Sequence, residues 1–241
     1  MITGRIHSIE TMGLVDGPGI RSVIFIQGCH LRCAYCHNPD TWGLSGGKEV
    51  TPEEIVSKVR RFKSYFDNSG GGVTFSGGDP LIQPEFLLEC LKLCKTSGIH
   101  TTIDTAGYGE GNYEEILKYT DLVLLDIKQE DSSTYKELTG KDTVGIRMFL
   151  NALRKSNSRV WVRHVVVPGI TDSTEHILKL SKIIKEQIPN VDKIELLPYH
   201  NIGQHKYEKL GIPYKLKNIK PMNKDRCNEL QSLIRKETGI F

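Results

Sequence analysis

Six short apolar runs rich in β-branched residues recur along the chain: Ser22 to Ile26, Gly72 to Phe75, His100 to Ile103, Leu122 to Ile127, Val160 to Val167 and Lys193 to Leu197. Each has the length and composition of a buried strand. Helical patterns separate them, at roughly Pro84 to Ser97, Tyr113 to Tyr119, Arg147 to Ser156 and Thr174 to Gln187, with a last one near Lys224 to Glu237. The first helix opens at Thr51-Pro52-Glu53-Glu54. There Thr51 can cap, Pro52 suits the first helical position and Glu54 completes a capping box. Strand and helix alternating with short connections predict an α/β fold, parallel strands with helices packed outside. The chain reads as one domain: a turn segment over 1–20, strand–helix units over about 21–200 and a C-terminal extension over 201–241.

Polar residues gather at the end of every run. The first run leads into Gly28-Cys29-His30-Leu31-Arg32-Cys33-Ala34-Tyr35-Cys36-His37, and the second into Ser76-Gly77-Gly78-Asp79-Pro80. The third ends in Asp104-Thr105-Ala106-Gly107 and the fourth in Asp126-Ile127-Lys128. The fifth carries Arg163 and His164, and the sixth runs into Pro198-Tyr199-His200. In a parallel barrel or open α/β sheet all these ends point to one face, where such folds place their sites.

Composition narrows the setting. With a formal charge of +3 and basic residues spread along 241 positions, neither a nucleic-acid tract nor a membrane-binding face stands out. The N-terminus lacks the apolar run of a signal peptide, which predicts a cytoplasmic protein. In that reducing compartment six cysteines do not suggest a disulfide framework.

Cys29, Cys33 and Cys36 therefore need another purpose. Cys33-Ala34-Tyr35-Cys36-His37 fits a c-type haem attachment pattern, which would leave Cys29 without a role. A redox dithiol of Cys33 and Cys36 would suffer exchange with the third thiol. Two readings survive: a structural Cys3His zinc site using His37, and an iron–sulfur cube whose fourth iron stays open. Spacing alone does not separate them. The polar lining favours a catalytic centre, since a zinc staple needs none.

The cysteine motif, the Gly-Gly-acidic turn, DTAG, DIK and ELLPYH, in this order, resemble the radical S-adenosylmethionine superfamily. HSIETMGLVDGPGIR, GGGVTFSGGDP, VWVRHVVVPG and IELLPYHNIGQHKYEKLG further resemble the family of pyruvate formate-lyase activating enzymes, and the likeness runs from about Ile6 to Pro221. The resemblance implies a partial (β/α)6 TIM-type barrel, open enough to admit a protein loop. It implies a [4Fe-4S] cluster on Cys29, Cys33 and Cys36 whose free iron binds S-adenosylmethionine. Reductive cleavage would give a 5'-deoxyadenosyl radical that takes a hydrogen from a glycine of pyruvate formate-lyase or another glycyl radical enzyme. Flavodoxin or ferredoxin is the implied electron donor, and a monomer the implied state.

The resemblance also assigns residues, each of which has a plainer reading. Gly77 and Gly78 could merely form a tight turn; in the family that turn offers carbonyls to the cofactor's amino group. Asp79 stands where the superfamily more often has Glu. Tyr35, Lys128 and His200 would contact the cofactor; the plainer readings are a surface lysine for Lys128, which its place beyond a buried strand disfavours, and a satisfied structural histidine for His200. Asp104 would lie beside the cofactor, and Asp104, Thr105 and Asp126 would surround a monovalent cation. Arg163 sits in an alternating strand where an unpaired guanidinium is costly, so it either faces the barrel mouth or pairs with an acid such as Asp126. Asp16, in the VDGPG turn, would meet the incoming peptide. Cys90 and Cys94, four apart on one helix face, read as small core hydrophobes. Cys227 stands alone. Residues 39–73 contain no cysteine, so a single cluster is expected.

Overall fold

The structure, a computed structural model, describes residues 2–129 and 131–241. Eight strands form one sheet: β1 (Gly4–Gly13), β2 (Arg21–Ile26), β3 (Lys48–Val50), β4 (Gly72–Gly77), β5 (His100–Thr105), β6 (Leu122–Asp126), β7 (Arg159–Val166) and β8 (Val191–Pro198). Their spatial order is β3-β1-β2-β4-β5-β6-β7-β8. The six expected strands are β2 and β4 to β8, and each pairs with its neighbour in parallel. Helices α1 (Pro52–Arg60), α2 (Lys63–Ser69), α3 (Pro84–Thr96), α4 (Tyr113–Lys118), α5 (Ser132–Thr139), α6 (Val144–Leu153), α7 (Thr174–Gln187), α8 (Gln204–Leu210) and α9 (Lys224–Thr238) complete the fold. The capping box of α1 is present, with Glu54 N on the Thr51 hydroxyl and Thr51 N on the Glu54 carboxylate.

Strands covered on both sides need no alternation, and β2, β4 and β6 have little, whereas β7 alternates. Val23, Ile24, Val73, Phe75, Val123, Leu124 and Leu125 are all fully buried, inner and outer faces alike. No helix of the described residues is long and apolar enough to cross a membrane.

The segment expected to be a turn over 1–20 instead opens with β1, antiparallel to β2 and to the short β3. Its apolar residues Ile6, Ile9 and Met12 hide a strand because register shifts after Ile6 and after Glu10 break the two-residue period. The strands therefore run mostly, not wholly, in parallel. At the other margin, α9 covers the free edge of β8: Leu196 N donates to Gln231 Oε1 and Gln231 Nε2 donates to Ile194 O. Helices α2, α5 and α8 have only seven or eight residues and one to three buried positions each, too little for a periodic signal.

Cys90 and Cys94 lie on α3 with no exposed surface, packed in the core. Cys227 is buried beside the Leu196 carbonyl. Replacing Cys90 or Cys94 by alanine is expected to cost about 1 kcal/mol of stability and to leave catalysis intact, as thermal melts and an activity assay would show.

Candidate active site

The ends of all six parallel strands line one cavity of about 470 Å³. A flat sheet would spread these ends along a line, so the sheet curls into a part-barrel. After β2 come Cys29, Cys33, Tyr35 and Cys36; the end of β4 and its turn give Ser76 to Asp79, and the last two residues of β5 are Asp104 and Thr105. The ends of β6, β7 and β8 add Asp126 and Lys128, then Arg163, then Tyr199 and His200.

The cysteine loop is held by its backbone. Arg32 N and Ala34 N donate to the Thr139 and Leu138 carbonyls at the end of α5, and Cys36 N donates to Cys33 O. Arg32 donates from Nη1 to the Cys29 and Leu31 carbonyls and lies over the Trp42 ring. All six cysteines are free thiols. Burial pushes the Cys29 and Cys36 thiols up and the Cys33 thiol up to about 12. A thiol so disfavoured as an anion becomes a thiolate when a metal centre supplies the positive charge.

His37 is engaged elsewhere. Its ring stacks on His200 at 4.2 Å and its Nε2 lies 3.1 Å from the His200 carbonyl oxygen. Among the described residues no three His, Cys, Asp or Glu side chains converge on one ion position.

Gly77 has φ +114, and a Cβ there would lie 2.4 Å from Ile26 N and O; one on Gly78 would lie 2.1 Å from Gly28 O. The glycine turn thus presses directly on the chain leading into the cysteines, through Gly78 N to Ile26 O and Asp79 N to Gly28 O. Asp79 is turned inward. Its carboxylate accepts from the Thr105 hydroxyl, Ala106 N and Leu81 N. The Thr105 hydroxyl also accepts from Gly107 N. Asp79 and Thr105 therefore tie one strand end to the next with their polar groups.

Burial raises Asp79 to about 7, against the hydrogen bonds from Thr105, Leu81 and Ala106 that favour its anion. The folded chain then keeps a proton that the unfolded chain has lost, between the ordinary carboxylate value of 3.8 and about 7. Its contribution is complete below that window and fades as pH rises through it. Urea unfolding of metal-free protein at pH 5 and pH 7.5 should show the loss, on the order of 2 kcal/mol. Asp79→Asn should flatten it, and an equal slope in both proteins would refute the assignment.

The charged groups form two linked pairs. Lys128 Nζ donates to Asp126 Oδ2 at 2.8 Å. Burial pulls Lys128 down, but the Asp126 carboxylate prevails and holds its proton well above the usual lysine range. Arg163 both faces the mouth and pairs with acids: it lies 3.9 Å from Asp104 and 3.5 Å from Glu195, and donates to Val15 O. Asp126, the acid anticipated for it, belongs to Lys128. Asp104 accepts from the Ser76 hydroxyl at 2.8 Å, and burial raises its carboxyl above the usual range. Asp16 is half-buried beside this group. Burial raises it while Arg163 and Arg21 lower it, and its carbonyl accepts from Thr74.

Sequence reasoning missed Ser76, Glu195 and Arg21. Ser76 directly precedes Gly77 in the same turn, so its place at a strand end was readable. Glu195 faces Arg163 only through the β7–β8 register. Arg21 is completely buried, donating to Thr74, Thr102, Val73 O and Pro18 O, and so anchors the VDGPG turn to the sheet.

Among the described residues, three buried polar atoms of cavity-lining side chains have no hydrogen-bond partner: Tyr35 Oη, His200 Nδ1 and Arg163 Nε, the last facing the Glu195 carboxylate at 3.5 Å. Orphaned groups of this kind are rare in native interiors and point to a bound group. With the three cysteines, the close glycine turn and Lys128, they fit a metal cluster with a small zwitterionic cofactor beside it.

The model of the radical SAM superfamily matches residues 23–181. A pyruvate formate-lyase-activating enzyme of Clostridium pasteurianum is 63% identical over 235 residues, 98% of each chain. One from Staphylococcus epidermidis is 46% identical, over 95% of this chain and 94% of its own. The crystal structure of a domain of pyruvate-formate lyase-activating enzyme from Bacteroides vulgatus superposes with a TM-score of 0.56 at 23% identity, covering 71% of this chain and 96% of that one. A radical SAM methyltransferase from Sphaerobacter thermophilus gives 0.63 at 16% identity, over 91% and 64% of the two chains. The two solved structures share the fold, and the full-length sequence matches carry the kinship further: this chain belongs to the radical SAM superfamily.

Proposed function

We propose that this protein cleaves S-adenosylmethionine reductively and uses the resulting radical to take a hydrogen from a glycine of pyruvate formate-lyase, activating that enzyme. One observation carries the reading: three free thiols on one loop, Cys29 and Cys33 buried and Cys36 half-buried, meet the ends of all six parallel strands in a single cavity. A [4Fe-4S] cluster held by Cys29, Cys33 and Cys36, with S-adenosylmethionine on its open iron, would supply the electron and the 5'-deoxyadenosyl radical.

The remaining chemistry belongs to the chain. Gly77 and Gly78 bring backbone, rather than side chain, to the cofactor's amino group. Lys128, already charged and fixed by Asp126, offers a cation to its carboxylate. His200 Nδ1 and Tyr35 Oη gain the partners they lack. A monovalent cation at Asp104, Thr105 and Asp126 would compete with Arg163 and Lys128 for the two carboxylates.

At the mouth, Arg163 grips Val15 O, so the turn carrying Asp16 overhangs the cavity. Leu14 and Val15 present their side chains to solvent, 71% and 77% exposed, and form an apolar tip for the substrate loop. Glycine suits as the target, since its backbone reaches conformations and narrow spaces closed to other residues. The single domain, the monomeric state and a cytoplasmic setting belong to the same proposal.

The test is anaerobic reconstitution. The protein should bind about four irons with the brown absorption of a cube, release 5'-deoxyadenosine when given a reductant, and produce a glycyl radical signal on purified pyruvate formate-lyase. Zinc-loaded protein that never cleaves the cofactor would refute the chemistry. A radical formed only on another glycyl radical enzyme would refute the partner.

A further inference from the structure

Residues 201–224 carry six lysines against one glutamate, while the whole chain is only +3. The rest of the molecule is therefore slightly negative, and the positive charge gathers in one segment. Elsewhere lysines commonly have acidic partners, as in Lys63–Asp67, Lys95–Asp121 and Lys155–Glu114. Within this segment Lys206 alone is engaged, with Asn38 and Asp40 of the cysteine loop. Lys209, Lys215, Lys217 and Lys220 are exposed, and none makes an ion pair among the described residues.

The segment is anchored, so these charges are not on a loose tail. Leu216 and Met222 are buried, Met222 N donates to Tyr199 O, and the Tyr214 and Tyr199 hydroxyls lie 2.8 Å apart. Leu216 and Met222 thus turn in, and Lys209, Lys215, Lys217 and Lys220 turn out. The segment also covers the cysteine loop: Tyr207 donates to Cys36 O at 3.0 Å, and Gly203 sits against the His37 backbone. The Tyr207 ring lies 4.8 Å from Tyr214 and 5.7 Å from Trp42. Tyr214, the residue before Lys215, and Tyr207 thus lead from the segment to the Cys36 carbonyl.

We propose that this lysine face is where an acidic one-electron carrier protein docks to reduce the metal centre. The inference rests on the function proposed above, which consumes one electron per cofactor cleaved. The carrier's reduced group loses that electron and the centre held by Cys36 gains it, with no atom transferred. Charge complementarity selects the partner, since unpaired surface lysines steer an acidic protein and fix its orientation. The face lies on the C-terminal extension, a different segment of the chain from the Asp16 turn.

The probe is an acidic flavodoxin. Its oxidised form should bind the reconstituted enzyme with an affinity that falls as salt rises, and carbodiimide should cross-link it to Lys209, Lys215, Lys217 or Lys220. Reversing these four lysines to glutamate should weaken binding in calorimetry by about tenfold or more at low salt, and their change to glutamine should weaken it less. Cofactor cleavage driven by reduced flavodoxin should fall in step, while cleavage driven by dithionite should not change. Unaltered affinity, or cross-links mapping elsewhere, would overturn the proposal. So would loss of dithionite-driven cleavage or of dithionite-driven glycyl radical formation in the variant, since the lysines would then serve the cavity or the protein substrate. Wild-type enzyme inactive with dithionite would instead refute the function, and the binding measurements would still decide the docking.

Discussion

Cys33→Ala should fold nearly as well as the wild type and lose cofactor cleavage by more than about a thousandfold, some 4 kcal/mol of barrier. Folding survives because the loop is built by main-chain bonds that alanine retains: Arg32 N to Thr139 O, Ala34 N to Leu138 O and Cys36 N to Cys33 O. The lost sulfur is buried, at 8% exposure, so its removal leaves a small cavity and a modest stability cost. Chemistry does not survive, because a cube gripped at three corners has no spare ligand among these side chains. Cys90, Cys94 and Cys227 are buried in the core, and His37 is occupied by His200. The measurement pairs circular dichroism melts with iron and sulfide content and 5'-deoxyadenosine release. A folded variant that still cleaves the cofactor would refute the ligand assignment, and an unfolded one would favour a structural staple. The same result is expected for Cys29→Ala and Cys36→Ala.

The site was more legible than the fold around it, for a physical reason. Strand-end chemistry is local: SGGDP, DTAG and DIK each come directly after their own apolar run, so parallel pairing alone predicts that they meet. What pairing does not predict is which charges choose each other. Arg163 finds Glu195 because β7 and β8 align these two residues, and Asp126 goes to Lys128, two residues away. The roles of Asp79 and Thr105 were similarly hidden. Both are polar residues at strand ends, yet they bond to one another and brace the turn. In the fold, the elements that escaped notice have weak periodicity, β1 because of its register shifts and α2, α5 and α8 because they are short. Basic residues taken as spread along the whole chain hide the lysine excess of residues 201–224, and the Tyr207–Cys36 contact gives that excess a location.

Gly78→Ala should produce the second large effect, and it tests how closely the glycine turn must approach the cysteine segment. A Cβ at Gly78 would lie 2.1 Å from Gly28 O, 2.6 Å from Gly28 C and 3.1 Å from Thr41 O, all backbone atoms. No rotamer change relieves such a contact, so the two segments must part. Parting them strains or breaks the bonds from Asp79 N to Gly28 O and from Gly28 N to Thr41 O, with an expected cost of about 3 kcal/mol or more. Gly77→Ala should be as harmful, because its φ of +114 adds conformational strain to a 2.4 Å contact with Ile26. Gly169→Ala is the control: φ is +75, but nothing lies within 4 Å of the new methyl. It should cost only about 1 kcal/mol from the left-handed backbone. The excess for Gly78 over Gly169, measured by urea unfolding of the metal-free chains, isolates the close approach. Any Gly78→Ala protein that folds should bind S-adenosylmethionine at least about tenfold more weakly in its reconstituted form, a loss of about 1.4 kcal/mol. Affinity unchanged from the wild type would mean that the turn serves the fold alone.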